Sequence, residues 1–278
     1  MKPLTLKVRR RNPIVVERLP AFARLYRAAY SPSRRMRQEL LKLPLRPLVR
    51  FLYGAGAGGR GSAWLETGAG KKRLEFSMRN LQFASLFMPQ HAEGYEAETF
   101  ALLAALLGPD GVFFDVGSNF GYYSLALAAR PGFRGQVHAF EPTPGSFRDL
   151  TELVAQAGLG DRITPHNVAL SDRDGSASLS LPDGMHSGLA KVAEKGGTQI
   201  TVRRLDGLGL PAPAVIKLDV EDHETEALTG AATVLGQAKP HLVFESIWGR
   251  QESGAALKPF ALLESLGEIM KKARVELG

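Results

Sequence analysis

Between residues 112 and 245, short apolar runs alternate with amphipathic helical segments, and this alternation restricts the fold more than any other feature of the sequence. Strands are predicted at residues 112–116, 136–140, within 163–170, 215–220 and 241–245, and helices at 122–129, 145–157 and 224–235. Strands that alternate with helices form a mainly parallel sheet with helices on both faces. The sequence therefore predicts a doubly wound, Rossmann-like α/β fold, which binds ligands at the carboxyl ends of its strands.

The remaining segments predict further elements and a division into domains. A hairpin is expected from residues 63–67 and 73–78, a helix at 96–107, and a two-stranded insertion from 177–181 and 199–205. The segment GAGAGGRG at 54–61 lacks the Gly-Lys-Ser/Thr ending of a phosphate-binding loop, so a flexible linker is expected there. The predicted domains are a basic, partly helical arm with its linker (1–60), a hairpin and helix (61–110) and the α/β core (111–278).

Positive charge is concentrated at the start of the chain. The first 50 residues hold 14 of the 35 Lys and Arg residues but only two of the 28 acids, Glu17 and Glu39, so the remainder carries more acids than bases. Phe22, Leu25 and Tyr26 recur at helical spacing with arginines between them, which predicts a basic amphipathic extension. Residues 1–50 could contact an acidic membrane surface through this extension, and a solvated arm is an equally open interpretation.

Some classes of protein are excluded by what the sequence lacks. The chain contains no cysteine, which excludes disulfide frameworks, thiol nucleophiles and cysteine-ligated zinc. No run approaches the ~20 apolar residues that a membrane-spanning helix needs, and no hydrophobic signal core follows the first residues. We therefore expect a cytoplasmic protein that could associate with a membrane at its surface.

A glycine-containing loop, DVGSNFG at residues 115–121, follows the first strand of the core and leads into a helix. Gly117 and Gly121 let the backbone pass close to a ligand, and the helix start offers free N–H groups. A dinucleotide-binding loop has three glycines, and this chain has Asn119 in place of the middle one. An amino-acid-like ligand tail therefore fits this loop better than a dinucleotide. Asp115 is the expected acceptor for the ammonium group of such a tail. An ordinary structural turn is the alternative interpretation.

Acidic residues also follow the second and third strands. Glu141 lies 26 residues after Asp115, about one βαβ unit further along the chain. A carboxylate there can accept hydrogen bonds from both ribose hydroxyls of a nucleoside. Asp172 is a candidate for contact with an adenine edge, although it equally suits a turn before a hairpin. The predicted binding residues are thus Asp115, Gly117, Ser118, Asn119, Gly121, Glu141 and Asp172.

The end of the fourth strand places four acids and a histidine within six residues, 219–224. A helix-capping segment would explain such a run, but its position opposite the glycine-containing loop favours a role in chemistry. His223 or Asp219 is the candidate general base, and the acidic neighbours are expected to favour the protonated form of His223. Asp219 and Glu221 could instead hold Mg²⁺. Glu245, after the fifth strand, is expected on the same rim.

Together these motifs resemble the FkbM family of S-adenosylmethionine-dependent methyltransferases. The resemblance runs from about residue 95 to residue 245 and includes the loop at 115–121, FEP at 140–142, VALSD at 168–172, Leu205-Asp206, the run at 216–224 and Gly230-Ala231. It implies a class I methyltransferase fold, S-adenosylmethionine as cofactor, and O-methylation of a sugar or natural product, the acceptor being a small molecule or a glycan. It assigns cofactor binding to Asp115, Gly117, Asn119, Gly121 and Glu141, and the active-site rim to Asp219, Glu221 and Glu224.

The chain departs from the family pattern at two places. Asp222 stands where the family usually has glycine, which makes the turn bulkier and more acidic. Only 11 residues follow Gly267, which leaves little room for a closing hairpin after the helix expected at 257–266. A degenerate methyltransferase fold that binds without turnover is therefore one alternative function. A nucleic-acid methyltransferase that uses the basic arm is another, although the acidic core and the lack of an Asn/Asp-Pro-Pro-aromatic tetrad argue against it.

Overall fold

The computed structural model describes residues 4–8, 12–33, 35–92, 94–180, 191–193, 197–244 and 273–277. Its strands are β1 (Leu4–Val8), β2 (Ile14–Arg18), β3 (Arg60–Thr67), β4 (Gly70–Ser77), β5 (Val112–Val116), β6 (Gln136–Phe140), β7 (Ile163–His166), β8 (Ala169–Leu170), β9 (Gly175–Ser180), β10 (Lys191–Ala193), β11 (Thr198–Arg203), β12 (Val215–Leu218), β13 (His241–Phe244) and β14 (Ala273–Leu277). Its helices are α1 (Ala21–Tyr30), α2 (Met36–Lys42), α3 (Leu45–Gly54), α4 (Ala97–Leu106), α5 (Tyr122–Ala128), α6 (Pro144–Ala157), α7 (Glu224–Thr229) and α8 (Ala232–Ala238).

A five-stranded parallel sheet in the order β13-β12-β5-β6-β7 forms the centre of the described structure. β5 and β6 have the predicted bounds, β12 ends two residues earlier than expected, and β13 covers the described part of its predicted range. The chain runs outward from β5 through β6 to β7 and then returns to the other side for β12, so the switch point lies between β5 and β12. This topology confirms the predicted doubly wound α/β class. Glu245 and the helix expected at 257–266 lie outside the described residues.

Alternate residues of the central strands pack into two different cores. Phe113 and Val215 join the core under α5 and α6, whereas Phe114 and Ile216, the next residue in each strand, join the core under α7 and α8. Successive side chains of a strand point to opposite faces, so both faces of this sheet are apolar and covered. A sheet buried on both faces explains why its strands are unbroken apolar runs in the sequence.

The single helix predicted at 224–235 is two helices, α7 and α8, which corrects the prediction. The carboxylate of Asp206 accepts hydrogen bonds from two backbone N–H groups in the first turn of α8, at 2.9 and 3.0 Å. Gly230, between the helices, lies so close to Ser171 that an added Cβ would come 1.9 Å from its carbonyl oxygen. The chain therefore turns at Gly230, where only glycine fits. The carboxylate of Asp206, which is distant in the sequence, caps the start of α8.

The predicted third strand also divides into two. β7 continues the central sheet beside β6, whereas β8 pairs in parallel with β11 in a second sheet of order β10-β9-β11-β8. Between them, Asn167 donates from Nδ2 to the carbonyl oxygens of Glu141 (2.8 Å) and Pro142 (3.2 Å) and holds the chain where it changes sheets. β9 and β11 are antiparallel, which confirms the two-stranded insertion, and β10 adds a third strand to it.

Between residues 12 and 54, β2 and α1 pack on the body of the protein, whereas α2 has no buried residue. β2, which the sequence pattern does not predict, pairs antiparallel with β3 and completes a three-stranded sheet with β4. α1 buries Phe22, Tyr26 and Ala29 on its expected apolar face, and these side chains share a core with the central sheet. The three-stranded sheet therefore spans the domain boundary predicted at residue 60, and that boundary remains a prediction.

Two glycines of the segment at 54–61, Gly58 and Gly61, are buried, whereas the other residues of the segment are exposed and the expected linker remains a prediction. The segment connects the end of α3 directly to the start of β3. A Cβ on Gly58 would come 2.9 Å from the backbone of Met78, and one on Gly61 would come 2.9 Å from the carbonyl oxygen of Arg18. These positions require glycine because neighbouring backbone leaves no room for a side chain.

β1 and β14 pair in parallel as a separate two-stranded sheet that lies beside α4. Within the described ranges, β14 does not pair with the central sheet, whose edges are β13 and β7. In the same part of the chain, no helix is both long enough and apolar enough to cross a bilayer.

Protonation of a buried histidine pair is expected to destabilise the protein in acid. His138 Nδ1 on β6 lies 3.0 Å from His166 Nε2 on β7. Burial, and then repulsion from His166, lower the pKa of His138 to about 4, and burial lowers the pKa of His166. Both pKa values are ~6.5 in the unfolded chain. The neutral pair therefore makes its full contribution to the free energy of unfolding above about pH 6.5. This contribution is lost as the pH falls from there towards about 4.

We expect the free energy of unfolding to fall by on the order of 3 kcal/mol for His138 across this range. Urea unfolding at a series of pH values measures the change. His138→Gln removes the titrating group and should flatten the pH dependence, whereas His241→Gln, at an exposed histidine, should retain it. An equal pH dependence in the two variants would contradict this explanation.

Candidate active site

A cavity of about 280 Å³ opens at the carboxyl ends of β5, β6 and β12, where the switch point of the sheet predicts a ligand site. Seven of the predicted site residues line it, namely Gly117, Ser118, Asn119, Glu141, Asp219, Glu221 and His223. Asp115, Gly121 and Asp172 are not among its lining residues. The structure thus brings together most of the predicted site and places three members outside the cavity wall.

The loop after β5 turns sharply beneath the cavity. Gly117, Asn119 and Gly121 have φ angles of 76°, 50° and 87°, in the left-handed region. A Cβ on Gly117 would come 1.9 Å from the carbonyl oxygen of Asp219, so the loop is in backbone contact with the end of β12. Gly121 instead faces Leu150 of α6, where an added Cβ would come 2.4 Å from Cδ1. Gly117 therefore shapes the site, and Gly121 allows the helix α5 to pack.

Asp115 is fully buried and bonded to the helix that follows it. Its Oδ2 accepts hydrogen bonds from the backbone N (3.2 Å) and the hydroxyl (2.6 Å) of Ser124. Its Oδ1 has no hydrogen-bond partner and lies 3.6 Å from Lys217 Nζ. Burial raises the pKa of Asp115, and Lys217 and Ser124 oppose that shift. Lys217, and not Asp115, lines the cavity. The contact of Asp115 with a ligand ammonium group, directly or through water, remains a prediction.

Lys217 is a cavity residue that the sequence analysis does not single out. Its side chain is buried, with Nζ 3.2 Å from Asp219 Oδ2, 3.4 Å from the carbonyl oxygen of Gly117 and 5.0 Å from the centre of the Tyr123 ring. Burial alone would lower the pKa of Lys217, but Asp219 and Asp115 outweigh it, so the pKa is raised and the ammonium form persists. The available signal is a lysine inside an otherwise apolar strand, opposite Asp115 in the sheet register.

The described residues do not fit the predicted Mg²⁺ site. Asp219, which would have to bind the ion, already contacts the Lys217 ammonium group, which supplies positive charge at that place. Among the residues that the structure describes, no group of three or more His, Asp or Glu side chains is arranged to hold a metal ion. We therefore derive no chemistry from a metal held by Asp219 and Glu221.

Glu141 joins the cavity to the loop. It is almost fully buried, its Oε2 accepts a hydrogen bond from Asn119 N (2.9 Å), and its Oε1 accepts one from Thr143 N (2.7 Å). Burial raises the pKa of Glu141, and these backbone hydrogen bonds oppose the rise. Each carboxylate oxygen can accept a second hydrogen bond, so the side chain suits the predicted interaction with a pair of hydroxyls.

Asn80, from the turn after β4, is a second residue that the sequence analysis does not single out. Its Nδ2 donates to Asn119 Oδ1 (3.3 Å) and to Asp149 Oδ2 (3.0 Å), and its Oδ1 accepts from the backbone N of Gln82 (3.0 Å). Gln82 itself lines the cavity. The N-terminal sheet is therefore tied directly to the tip of the loop at Asn119.

His223 lies in the cavity wall, and both ring nitrogens face protein groups. Nε2 lies 3.1 Å from the Ser171 hydroxyl, and Nδ1 lies 3.6 Å from Glu226 Oε2. Burial lowers the pKa of His223 more than Glu226 and Asp172 raise it. The acidic neighbours thus favour the protonated form, as expected, but burial outweighs them and the net shift of the pKa is downward. Asp172 bonds to the Ser171 hydroxyl (3.1 Å), in keeping with its interpretation as a turn residue.

The turn between β12 and α7 carries backbone strain at the position where the chain departs from the family pattern. Glu221 and Asp222 have φ angles of 50° and 71°, in the region that favours glycine. Asp222 thus adopts a backbone conformation that glycine takes more readily, at the position where the resemblance leads us to expect glycine. The turn keeps Glu221 and His223 at the cavity in spite of this substitution.

The fold and the cavity together define the class of protein. A doubly wound sheet with a tight glycine-containing loop after its first strand and a buried carboxylate after its second is a nucleoside-binding arrangement, and it is the arrangement of class I methyltransferases. The model of the Methyltransferase FkbM domain matches residues 115–272, more than half of the chain. The chain belongs to this family.

Individual relatives match only part of the chain. It is 32% identical over 146 residues to the hexuronic acid methyltransferase AglP of Haloferax volcanii, which covers 50% of this chain and 58% of AglP. It is 31% identical over 135 residues to the AMB antimetabolite synthetase AmbE of Pseudomonas aeruginosa, which covers 46% of this chain and 6% of AmbE. Among solved structures, methyltransferase FkbM from Methylobacillus flagellatus is 20% identical with a TM-score of 0.42, over 58% of this chain and 39% of that one.

Replacement of Asp222 by glycine is expected to stabilise the protein. A side chain in the left-handed region costs roughly 1–2 kcal/mol, whereas glycine adopts it readily. Asp222→Gly should therefore raise the free energy of unfolding by about 1 kcal/mol, measured by urea unfolding. Asp222→Ala removes the same charge but keeps the Cβ, so it should not stabilise. Equal gains in the two variants would show that charge, and not backbone geometry, is the cause.

Proposed function

We propose that this chain transfers the methyl group of S-adenosylmethionine to a hydroxyl oxygen of a sugar or of a related natural product. One observation carries the proposal: a single cavity collects the loop at residues 117–119, the carboxylate of Glu141, and Asp219 and His223 after β12. Family membership supports methyl transfer as the reaction.

The cofactor side of the cavity fits a nucleoside with an amino-acid tail. Glu141 would accept hydrogen bonds from the ribose hydroxyls, and the loop around Gly117 and Asn119 would follow the tail. S-adenosylmethionine supplies a methyl group on a sulfonium ion, which is already electrophilic. The protein therefore has mainly to hold the acceptor oxygen in line with that group.

Aromatic and acidic side chains from the start of α4 and from α5 suit a polyhydroxylated acceptor. Tyr95, Glu96, Tyr122 and Tyr123 all line the cavity. The Tyr95 and Tyr122 rings meet edge to face at 5.2 Å, and the Tyr123 hydroxyl donates to the Glu96 carboxylate. Aromatic surface with a few convergent polar groups is typical of small-molecule sites.

Charge in the cavity favours a neutral hydroxyl over a carboxylate as the group that is methylated. The relative AglP is named for hexuronic acid, a sugar that carries both groups. Glu96, Glu141, Asp219 and Glu221 line the cavity, and the ammonium group of Lys217 is already shared between Asp219 and Asp115. An anionic acceptor group would therefore meet like charges at short range.

A hydroxyl acceptor needs a base, and His223 is the candidate that the geometry favours over Asp219. Its lowered pKa keeps the ring mostly neutral at neutral pH, as a base must be. The Ser171 hydroxyl donates to Asp172, so Nε2 donates to Ser171; to act as the base, Nε2 would have to give up that proton and an acceptor hydroxyl would have to replace Ser171. Asp219 is the second candidate, with Lys217 bound to one of its oxygens.

Binding of the cofactor is expected to depend on Glu141. Isothermal titration with S-adenosylhomocysteine should show binding that Glu141→Ala weakens roughly tenfold or more, because hydrogen bonds to a carboxylate are lost. Glu152→Ala, at an exposed glutamate of α6, is the matched control and should bind as the parent does. A folded parent chain that does not bind would refute the cofactor assignment.

Turnover is expected to require neutral His223. With a neutral sugar glycoside as acceptor, the rate should fall as the pH drops through a value below the ordinary histidine pKa of ~6.5. His223→Asn should reduce turnover by roughly 10²- to 10⁴-fold while S-adenosylhomocysteine binding persists. If His223→Asn stays active and Asp219→Asn does not, Asp219 is the base.

The product identifies the methylated atom, because a methyl ether survives mild alkali and a methyl ester does not. A hexuronic acid acceptor tests this directly, and an alkali-labile product would contradict methylation at a hydroxyl. Binding of S-adenosylhomocysteine without turnover on any sugar acceptor would favour the degenerate binding protein instead.

A further inference from the structure

The helices α2 and α3 expose an unusual amount of apolar side chain. Within the described ranges, seven large hydrophobic residues are exposed, and six of them fall in this short segment. These six residues define what we call the α2–α3 surface, and they are Met36, Leu40, Leu41, Leu43, Leu48 and Phe51. Met36 is 81% exposed and Phe51 is 71% exposed. A surface that leaves side chains of this size in water points to an interaction site.

This surface sits on anchored helices. α3 buries Val49, and the Tyr53 hydroxyl at its end donates to the carbonyl oxygen of Arg79 (2.9 Å). α2 is held by Lys42, whose Nζ donates to the carbonyl oxygen of Ser31. The helix is therefore held at its C-terminal end. None of its residues is buried, so its apolar side chains are left uncovered.

The charge around these residues has a single sign. Between residues 19 and 54 the sequence holds eight Lys and Arg residues and one acid, Glu39. Glu39 is already paired with Lys42 (2.9 Å) and Arg46 (3.0 Å). The exposed arginines of this part of the sequence are Arg24, Arg27, Arg35, Arg37 and Arg50.

We propose that the α2–α3 surface docks on an anionic lipid bilayer. Apolar side chains at the level of the lipid headgroups, with arginines beside them, are the means by which amphipathic helices bind such membranes. A second copy of this chain would bring two strongly positive surfaces together. Phosphates of a nucleic acid would use the arginines but would leave six large apolar side chains in water. The inference uses no part of the cavity and is independent of the proposed methyl transfer.

Sedimentation of the full chain with vesicles tests the proposal. Phosphatidylcholine vesicles that also contain phosphatidylglycerol should bind the chain, and vesicles of phosphatidylcholine alone should bind it much less. The combined variant Arg37→Gln and Arg50→Gln should weaken binding by roughly fivefold per arginine. The combined variant Leu40→Ser, Leu41→Ser and Phe51→Ser should weaken it by roughly tenfold or more with all charges retained.

Two matched controls remove an exposed apolar side chain or two positive charges at places outside the α2–α3 surface. Val15→Thr changes the one large hydrophobic residue that is exposed outside the α2–α3 surface in the described part of the chain, and Lys71→Gln with Lys72→Gln removes two exposed charges from β4. Both controls should bind vesicles as the parent does. The proposal is overturned if anionic vesicles do not bind, or if the apolar variant binds them normally. It is also overturned if the apolar variant instead converts a dimer to a monomer in sedimentation velocity.

Discussion

The buried ammonium group of Lys217 is the interaction on which the rest of the site depends. It lies within 4 Å of Asp115 on β5 and of Asp219 after β12, and so balances two carboxylates at the switch point of the sheet. A carboxylate as deeply buried as Asp115 is tolerated only with such a partner, and removal of one partner from a buried pair typically costs about 3–5 kcal/mol. Lys217 therefore allows Asp115 near the end of β5 and Asp219 after β12 to lie close together, and Lys217 and Asp219 line the cavity.

Backbone contacts around this charged group fix the geometry of the site. Gly117 lies against the carbonyl oxygen of Asp219, and the N–H groups of Gly117 and Ser118 both donate to the carbonyl oxygen of Phe140 at 3.0 Å. The ends of three strands are thus joined through one loop. Glu141 then holds the tip of that loop through Asn119, so the cofactor side of the cavity is in place before a ligand arrives.

The sequence predicts the central sheet well because its signals are local. Apolar runs and the DVGSNFG loop predict both ends of β5 and β6 correctly. Because ligands bind at the carboxyl ends of parallel strands, Glu141, Asp219 and His223 are expected at one site, and all three line the cavity. Contacts between distant segments were not predictable. Asp206 capping α8, β2 pairing with β3, and Lys217 facing Asp115 all depend on partners far apart in the chain. The lowered pKa of His223 is also not predictable from the sequence, because it results from burial of the ring in the folded protein.

The contact between Asn80 and Asn119 has a thermodynamic consequence. It joins the three-stranded N-terminal sheet, which lies before the family-matched region, to the loop proposed to hold the cofactor. A ligand that binds one arrangement of that loop also stabilises the N-terminal sheet that holds the loop in place. By the same linkage, a more stable sheet favours binding of the ligand. Occupancy of the cavity and protection of the hairpin from solvent exchange would then rise together.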